Sequence, residues 1–265
     1  MVKQVIYETH GRAREFSELA INLFAGCGHK CLYCYGPAVT HTDEDTFQND
    51  PRPRVTPSEI ASSATQMQKA GEKRPVLLCF VTDPYCPIEA ESQLTRQAIQ
   101  ALYAHNLNVV VLTKAGKRAT RDFDLLGPGD AFATTLTCVD DETSLWWEPS
   151  AARPMERMES LIEASCRGIK TWVSLEPVIY PQATKQLILL TKEFVGHYKV
   201  GLLNYHPWAA KVDWHTFGWQ IKEFMDEIGV HYYVKADLAK YMGRARGFWN
   251  YEGNHVDARQ GSVGR

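Results

Sequence analysis

The sequence lacks an apolar run long enough to cross a membrane, and it lacks an excess of positive charge. A membrane-spanning helix needs about 18 or more consecutive apolar residues, and no segment approaches that length. The formal net charge is −2 at pH 7 and the pI is near 6.5, whereas domains that bind nucleic acid through charge usually have a pI above about 9. We therefore expect a cytoplasmic protein with no membrane partner and no general affinity for polyanions, although a local basic groove is compatible with these values.

Internal repeats, low-complexity segments and a recognisable signal peptide are also missing, and the seven cysteines are an odd number. These features argue against a disulfide framework and favour a reducing compartment. Hydrophobic residues make up 45% of the 265 residues and charged residues 23%, as in ordinary soluble globular domains. The length suits one domain of α/β-barrel size.

Three of the cysteines lie within eight residues, in the segment INLFAGCGHKCLYCYGP at positions 21–37. Cys27, Cys31 and Cys34 have the spacing CxxxCxxC and stand between glycines. Cysteine thiolates hold iron–sulfur clusters, and a cubane normally takes four of them. A cubane held by only these three would leave one iron open for chemistry.

A zinc site is the alternative interpretation of the same loop. Structural zinc takes four ligands, CxxC is its common half-site, and His29 or His41 could supply the fourth ligand. The chain would then be a zinc-stabilised nucleic-acid-binding module without redox chemistry. The spacing alone leaves both interpretations open.

Short apolar runs alternate with helical patterns along the chain, which predicts βαβ units and a parallel sheet. The predicted strands are residues 21–25, 76–81, 108–112, 131–137, 169–175, 198–203 and a short last one at 230–234. In a parallel barrel the site forms at the carboxyl ends of the strands, and an open doubly wound sheet would place it similarly. Polar residues follow these strands and are expected at one mouth: Cys27, Thr82, Asp83, Lys114, Thr137, Glu176, Asn204, His206 and Lys235.

We expect three regions: an N-terminal arm (1–19) facing solvent, a barrel (20–242) and a C-terminal tail (243–265). The tail begins with the aromatic residues Phe248, Trp249 and Tyr251 close to Arg244 and Arg246. Aromatic rings beside arginines can stack on exposed bases, and a frayed terminus is the alternative.

The CxxxCxxC spacing, with Tyr33 directly before the third cysteine, resembles the signature of radical S-adenosylmethionine (radical SAM) enzymes. The resemblance implies a partial (β/α)6 TIM-type barrel in which Cys27, Cys31 and Cys34 hold a [4Fe-4S] cluster. It implies S-adenosylmethionine on the fourth iron and its reductive cleavage to a 5′-deoxyadenosyl radical that abstracts hydrogen from a substrate. It also implies an external one-electron reductant of the flavodoxin or ferredoxin type.

The finer match is similar to the spore photoproduct lyase-like branch. It rests on GCGHKCLYCY, on Thr82-Asp83-Pro84-Tyr85, on Thr113-Lys114, and on Glu148-Pro149 with Arg157. The resemblance implies cofactor-binding roles for Thr82, Lys114 and Thr137. Asp83 and Glu176, which follow predicted strands, are expected to bind the cofactor with them. The resemblance also implies that Tyr33 and Tyr35 relay a hydrogen atom, with Tyr33 first of all packing around the cluster.

One departure concerns the hydrogen-atom donor, which in the lyase is a cysteine on the second strand. Phe80 stands at the matching position here, and the neighbouring Cys79 should point away because side chains alternate along a strand. Cys86, in the following loop, is therefore the candidate donor.

The sequence therefore does not identify the substrate. Asn204, His206 and Lys235 are the expected substrate-facing residues. Nucleic acid, as in DNA repair or modification by a lyase, is the leading hypothesis, and a peptide or small molecule is the competing one.

Overall fold

The computed structural model describes residues 4–251, and within them the chain forms a nine-stranded sheet and a separate two-stranded one. The strands are β1 (Tyr7–Glu8), β2 (Leu19–Ile21), β3 (Phe24–Ala25), β4 (Arg52–Pro53), β5 (Val76–Leu78), β6 (Val109–Thr113), β7 (Ala131–Thr135), β8 (Lys170–Leu175), β9 (His197–Val200), β10 (Tyr232–Val234) and β11 (Phe248–Trp249). The large sheet has the order β1-β2-β5-β6-β7-β8-β9-β10-β11. Its seven central strands are parallel, and β1 and β11 pair antiparallel at the two edges.

Helices connect the parallel strands and cover the outside of the sheet. They are α1 (Gly36–Thr40), α2 (Glu44–Asn49), α3 (Pro57–Lys69), α4 (Glu89–Ser92), α5 (Leu94–Tyr103), α6 (Lys117–Thr120), α7 (Asp141–Trp147), α8 (Pro154–Cys166), α9 (Pro181–Thr191), α10 (Trp214–Glu227) and α11 (Ala236–Tyr241), with 3-10 helices at Gly11–Glu15 and Pro207–Lys211. None of these described helices has the length and apolar character needed to cross a membrane. Local sequence sets their ends: Thr56 and Glu59 form a reciprocal capping box on α3.

The predicted fold class is confirmed, because the parallel sheet with its connecting helices is a partial barrel. Over residues 4–251 the sheet does not close, since β1 and β11 stay at its edges. The boundaries proposed at 19/20 and 242/243 stay predictions, and residues 252–265 of the expected tail lie outside the described residues. Phe248 and Trp249 of that tail form β11.

The first predicted strand was wrong in its position, because the sheet strand ends at Ile21 rather than continuing to residue 25. The side chain of Asn22 accepts hydrogen bonds from the backbone N–H groups of Phe80 and Val81, at 2.9 and 3.2 Å. These bonds turn the chain out of the sheet. Phe24–Ala25, the end of the predicted strand, pairs instead with Arg52–Pro53 in the separate two-stranded sheet.

Residues 11–16 lie across the opening of the sheet; Gly11, Arg12 and Arg14 are exposed, as expected of a solvated arm, whereas Ala13 and Phe16 are buried. The segment follows β1 at one edge and binds the opposite edge through Glu15, whose side-chain oxygen accepts from Tyr233 (3.1 Å) and from the N–H of Ala236 (2.7 Å). Phe16 is buried inside the sheet, with its ring 5.8 Å from Phe80 and 6.2 Å from Trp172. The segment therefore fills the interior that an open sheet would expose.

Lys199 on β9 binds the segment of residues 11–16 through its ammonium group. Its ammonium group donates to the carbonyl oxygens of Glu15 (2.7 Å) and Phe16 (3.2 Å) and lies 4.7 Å from the Trp172 ring centre. Burial, reinforced by the charge of Lys235, lowers the pKa of Lys199 to about 7. A buried ammonium is thus held in place by two carbonyl groups and aromatic faces.

The pH dependence of the free energy of unfolding should reveal the titration of Lys199. Between pH 7 and 10 the unfolded chain keeps the Lys199 proton while the folded chain has lost it, so this group makes the free energy of unfolding rise with pH. We expect the stability of the native protein to rise with pH relative to that of Lys199→Met, measured by urea unfolding. Lys117→Met is the control, because an ion pair with Glu159 raises the pKa of Lys117 and moves its titration above this window. A difference between native protein and Lys199→Met that is constant with pH would contradict the assignment.

Candidate active site

A cavity of about 380 Å³ opens at the carboxyl ends of the parallel strands. It brings together most of the residues predicted from the sequence. Those that line it are Cys27, Cys31, Tyr33, Cys34, Tyr35, Thr82, Asp83, Lys114, Glu176, Asn204 and Lys235. The expectation that residues following different strands meet at one mouth is therefore met for these positions.

The cysteine loop is shaped by glycines that pack against Phe47. A Cβ atom at Gly36 would lie 2.3 Å from the Phe47 ring, and one at Gly26 would lie 2.7 Å from the Phe47 carbonyl oxygen. Gly26 also has a left-handed backbone, with φ at 85°. The N–H of Cys27 donates to that same carbonyl at 2.8 Å. Close approach to α2 thus turns all three cysteines towards the cavity.

The donor set fits the ligands of an iron–sulfur cluster, which cysteine thiolates hold. Three thiols of the loop face one cavity, yet among residues 4–251 no group of three or more His, Cys, Asp or Glu side chains is arranged to hold a metal ion. Burial raises the pKa of Cys31 to about 12, and the neighbouring Lys114 opposes that rise.

A buried charge cluster lies beneath the loop. Glu148, at the end of α7, is paired with Arg157 of α8, and neither side chain is more than 1% exposed. Tyr33 donates its hydroxyl to the same carboxylate. Burial opposes ionisation of Glu148, but Arg157 and Lys114 outweigh it and lower the pKa of that carboxyl. The cluster therefore ties the cysteine loop to two helices.

Asp83 is a second buried anion and organises the ends of β5 and β6. Its carboxylate accepts from the hydroxyl of Thr113 and from the N–H of Lys114, both at 2.7 Å, and lies 3.1 Å from Nε2 of His29. Burial opposes ionisation, but His29 and these hydrogen bonds hold the pKa of Asp83 well below its usual value. Since its oxygen atoms are engaged, Asp83 positions the site more than it offers a free ligand group.

The opposite wall holds the ion pair of Glu176 and Lys235. Gly201 makes room for it, because a Cβ atom there would lie 2.7 Å from a Glu176 carboxylate oxygen. Lys235 is almost fully buried, and its ammonium group also lies 3.8 Å from Glu15. Cations and carboxylates thus face the cysteines across the cavity.

The structure does not bring Cys86, Thr137 and His206 to the cavity. Cys86 is fully buried in the hydrophobic core. Thr137 lies beyond the end of β7, and Thr135 lines the cavity in its place. His206 caps the following 3-10 helix by accepting from the N–H of Trp208 at 3.2 Å.

Cys79 is the cavity residue that strand alternation missed. The strand ends at Leu78, and Cys79 has a left-handed backbone with φ at 61°. Alternation of faces therefore ends at Leu78, three residues before the predicted strand end at residue 81, and Cys79 lines the cavity together with Phe80. Its sulfur accepts from the N–H of Leu23 at 3.4 Å. No local sequence signal marks this backbone conformation.

No family model matches the chain. Among curated proteins, an uncharacterised protein of Mycobacterium tuberculosis is 26% identical over 172 residues, which are 62% of this chain and 50% of the relative. An uncharacterised protein of Methanocaldococcus jannaschii is 24% identical over 194 residues, 71% of each chain. The chain thus spans about half the length of the mycobacterial relative that it matches.

Solved structures share the fold. A spore photoproduct lyase with bound AdoMet and dinucleoside spore photoproduct matches with a TM-score of 0.60 at 17% identity, over 77% of this chain and 62% of the lyase. Streptococcus suis SuiB bound to its precursor peptide SuiA matches with a TM-score of 0.62 at 11% identity, over 84% of this chain and 50% of SuiB. The predicted likeness to the radical SAM fold of the lyase branch is confirmed at the level of the fold.

Breaking the Glu148–Arg157 ion pair should lower the stability of the folded protein. Arg157→Ala leaves a fully buried carboxylate unpaired, so we expect the free energy of unfolding to fall by about 3–5 kcal/mol in urea titrations. Arg157→Met combined with Glu148→Gln should lose much less, because both charges of the pair are removed together. Equal losses in the single and double variants would contradict the pairing.

Proposed function

We propose that this chain is a radical SAM enzyme. The observation that carries the proposal is the convergence of Cys27, Cys31 and Cys34 on one cavity together with Lys114, at the carboxyl ends of a parallel sheet. When bound, the cluster and S-adenosylmethionine would supply a 5′-deoxyadenosyl radical that abstracts hydrogen from the substrate. The likeness in fold to a lyase structure that contains AdoMet supports the same proposal.

The three cysteines would hold the cluster, and Lys114 would balance their charge. Interactions with Cys31 and Glu148 outweigh burial and raise the pKa of Lys114, so it stays cationic beside the loop. Thr82 and the Glu176–Lys235 pair line the remaining wall, where hydroxyl, carboxylate and ammonium groups can bind a methionine moiety and a ribose.

The cavity walls can exclude water from a reactive intermediate. Leu77, Leu112 and Leu202 line it together with Phe80 and Val81. Apolar walls limit side reactions, which is the contribution a protein makes to cofactor chemistry of this kind. Cys79 and Tyr35 also face the cavity, and the hydroxyl of Tyr35 donates to the carbonyl of Phe80 at 3.0 Å.

The mouth favours a planar group as the part of the substrate that enters. The cavity of about 380 Å³ is near the lower end of the range for ligand pockets, about 300–1,000 Å³. Tyr205 at its rim is 72% exposed and has a left-handed backbone (φ 59°), with the Arg12 guanidinium 5.3 Å from its ring centre. An aromatic ring with one face free can stack on a base. We therefore propose that a nucleobase of a nucleic acid is presented at this mouth.

The cluster assignment is tested by anaerobic reconstitution. We expect about four irons per chain, broad visible absorbance, and release of 5′-deoxyadenosine on reduction in the presence of S-adenosylmethionine. Cys31→Ala should abolish that release, whereas Cys166→Ala should retain it, because Cys166 is an exposed thiol outside the site. A colourless protein with stoichiometric zinc would instead establish the zinc-binding alternative.

The role of Tyr205 is tested by binding of fluorescent single-stranded DNA and RNA, with peptide pools as competitors. Tyr205→Ala should weaken nucleic-acid binding by about tenfold, the usual contribution of one stacked base. Tyr205→Phe keeps the ring and should bind normally, as should Tyr241→Ala, since Tyr241 is an exposed tyrosine on α11. Normal binding by Tyr205→Ala, or displacement by peptides alone, would refute the nucleobase proposal.

A further inference from the structure

A second, larger cavity lies where the sheet stays open. The connection between β1 and β2 lines it on one side, together with residues that precede β5 and β6, and β10 and β11 line it on the other. Its volume is about 1490 Å³, whereas small-molecule pockets usually measure about 300–1,000 Å³. We call this cavity the edge groove. Its size suits an extended ligand.

The edge groove adjoins the candidate active-site cavity. Arg12 and Phe16 line both of them, so the segment of residues 11–16 forms the wall between the two. Arg12 also reaches the mouth of the active-site cavity, where its guanidinium group donates to the hydroxyl of Tyr205 at 3.0 Å. A ligand that lies in the edge groove can therefore continue past Arg12 to that mouth.

The edge groove is more basic than the chain as a whole. Seven basic and four acidic residues line it, whereas the whole chain has a formal net charge of −2. On the side of the β1–β2 connection the charges balance, because the basic residues there stand beside three carboxylates. These residues are Arg14, Lys73 and Arg74, and the carboxylates are Glu8, Glu18 and Glu72. The excess of positive charge therefore belongs to the side of α11 and β11.

Lys240 and Arg246 are exposed cations on the side of α11 and β11. Lys240 shares the carboxylate of Asp237 with Arg12, at 2.9 and 2.6 Å. Arg246 has no ion-pair partner among residues 4–251. Glu15, the other carboxylate on this side, is engaged by hydrogen bonds inside the fold. This side of the groove thus keeps positive charge that an anionic ligand can bind.

Aromatic rings stand beside these cations. Tyr233 of β10 and Phe248 and Trp249 of β11 line the groove and are half-buried, and the guanidinium group of Arg244 lies 4.3 Å from the centre of the Phe248 ring. Grooves that bind single-stranded nucleic acid combine cations that follow the backbone with rings on which bases stack. An acidic peptide would bind the cations but would offer no bases to these rings.

We propose that the edge groove binds the sugar–phosphate backbone of a single-stranded nucleic acid. This inference deepens the proposed function, because it rests on a nucleobase as the group that is presented at the mouth of the active-site cavity. Phosphates would contact Lys240 and Arg246, and bases would stack on the rings of β11. The strand would then pass Arg12 and present one base beside Tyr205.

The experiment measures how the binding of a single strand depends on salt. The probe is a fluorescent oligothymidylate of about 12 nucleotides, within the site sizes of single-strand grooves. Its affinity for the reconstituted protein is measured by anisotropy at increasing NaCl concentration. Each phosphate contact on a single strand contributes about 0.7 to the slope of log affinity against log salt. We expect Lys240→Met combined with Arg246→Met to lower the magnitude of that slope by about 1.4, and Arg246→Met alone, which breaks no ion pair, to lower it by about 0.7.

The matched control is Arg118→Met combined with Lys170→Met. Both residues are exposed cations that line neither cavity, so this variant removes the same charge and should keep the slope of the native protein. Tyr205→Ala should weaken binding at every salt concentration without changing the slope, because a tyrosine neutralises no phosphate. The contributions of the groove and of the mouth are therefore measured separately.

The remaining outcomes overturn the inference or the proposed function, and they are distinguishable. Equal slopes in the native protein and in the Lys240–Arg246 double variant, or an equal loss in the control variant, would refute the groove even if 5′-deoxyadenosine is released normally. Displacement of the probe by polyglutamate as readily as by unlabelled oligothymidylate would assign the groove to an acidic peptide. Binding with the expected slopes by a protein that holds no iron would refute the radical chemistry and leave the groove as a nucleic-acid site.

Discussion

The cavity depends on one buried interaction, the ion pair of Glu148 and Arg157. It joins the end of α7 to α8, and Tyr33 binds the same carboxylate, so the cysteine loop takes its position from the pair. Two cations, Arg157 and Lys114, then act on one anion, Glu148. Lys114 and Arg157 also act on Cys31, where they oppose the rise in the thiol pKa that burial causes. The network thus ties the cysteine loop to two helices and places positive charge beside Cys31.

The second constraint is the open sheet, whose interior has to be filled by something other than a closing strand. The side chains that β2 and β7 direct inwards are small, Ala20, Ala131 and Ala133, and Phe16 occupies the space they leave. Phe16 also lines the cavity. The N-terminal segment is thus the floor of the site as well as the closure of the sheet, and it is held there by hydrogen bonds from Lys199 to its carbonyl groups.

The features that depend on hydrophobic periodicity and on residue spacing could be predicted from the sequence. The features that depend on tertiary contacts could not. Hydrophobic runs located the parallel strands, and the residues after them located most of the cavity wall. The position of Cys79 depends on a left-handed backbone at the strand end, which no periodicity reveals. The strand predicted over residues 131–137 ends at Thr135, so that Thr135 and not Thr137 lines the cavity. Phe16 packs against residues far along the chain, such as Trp172. The polar residues that neighbour Phe16 in the sequence do not indicate that it would be buried.

The fold by itself does not specify a ligand, because it is shared by proteins that bind different ligands. Structures with a dinucleoside photoproduct and with a precursor peptide match this chain almost equally well, with TM-scores of 0.60 and 0.62. Fold likeness therefore cannot distinguish a base from a peptide. The rim residues Arg12 and Tyr205 come from the N-terminal segment and the loop after β9, two regions outside the repeating βα pattern. Their pairing, an exposed ring covered on one face by a guanidinium, is the physical argument for a planar substrate.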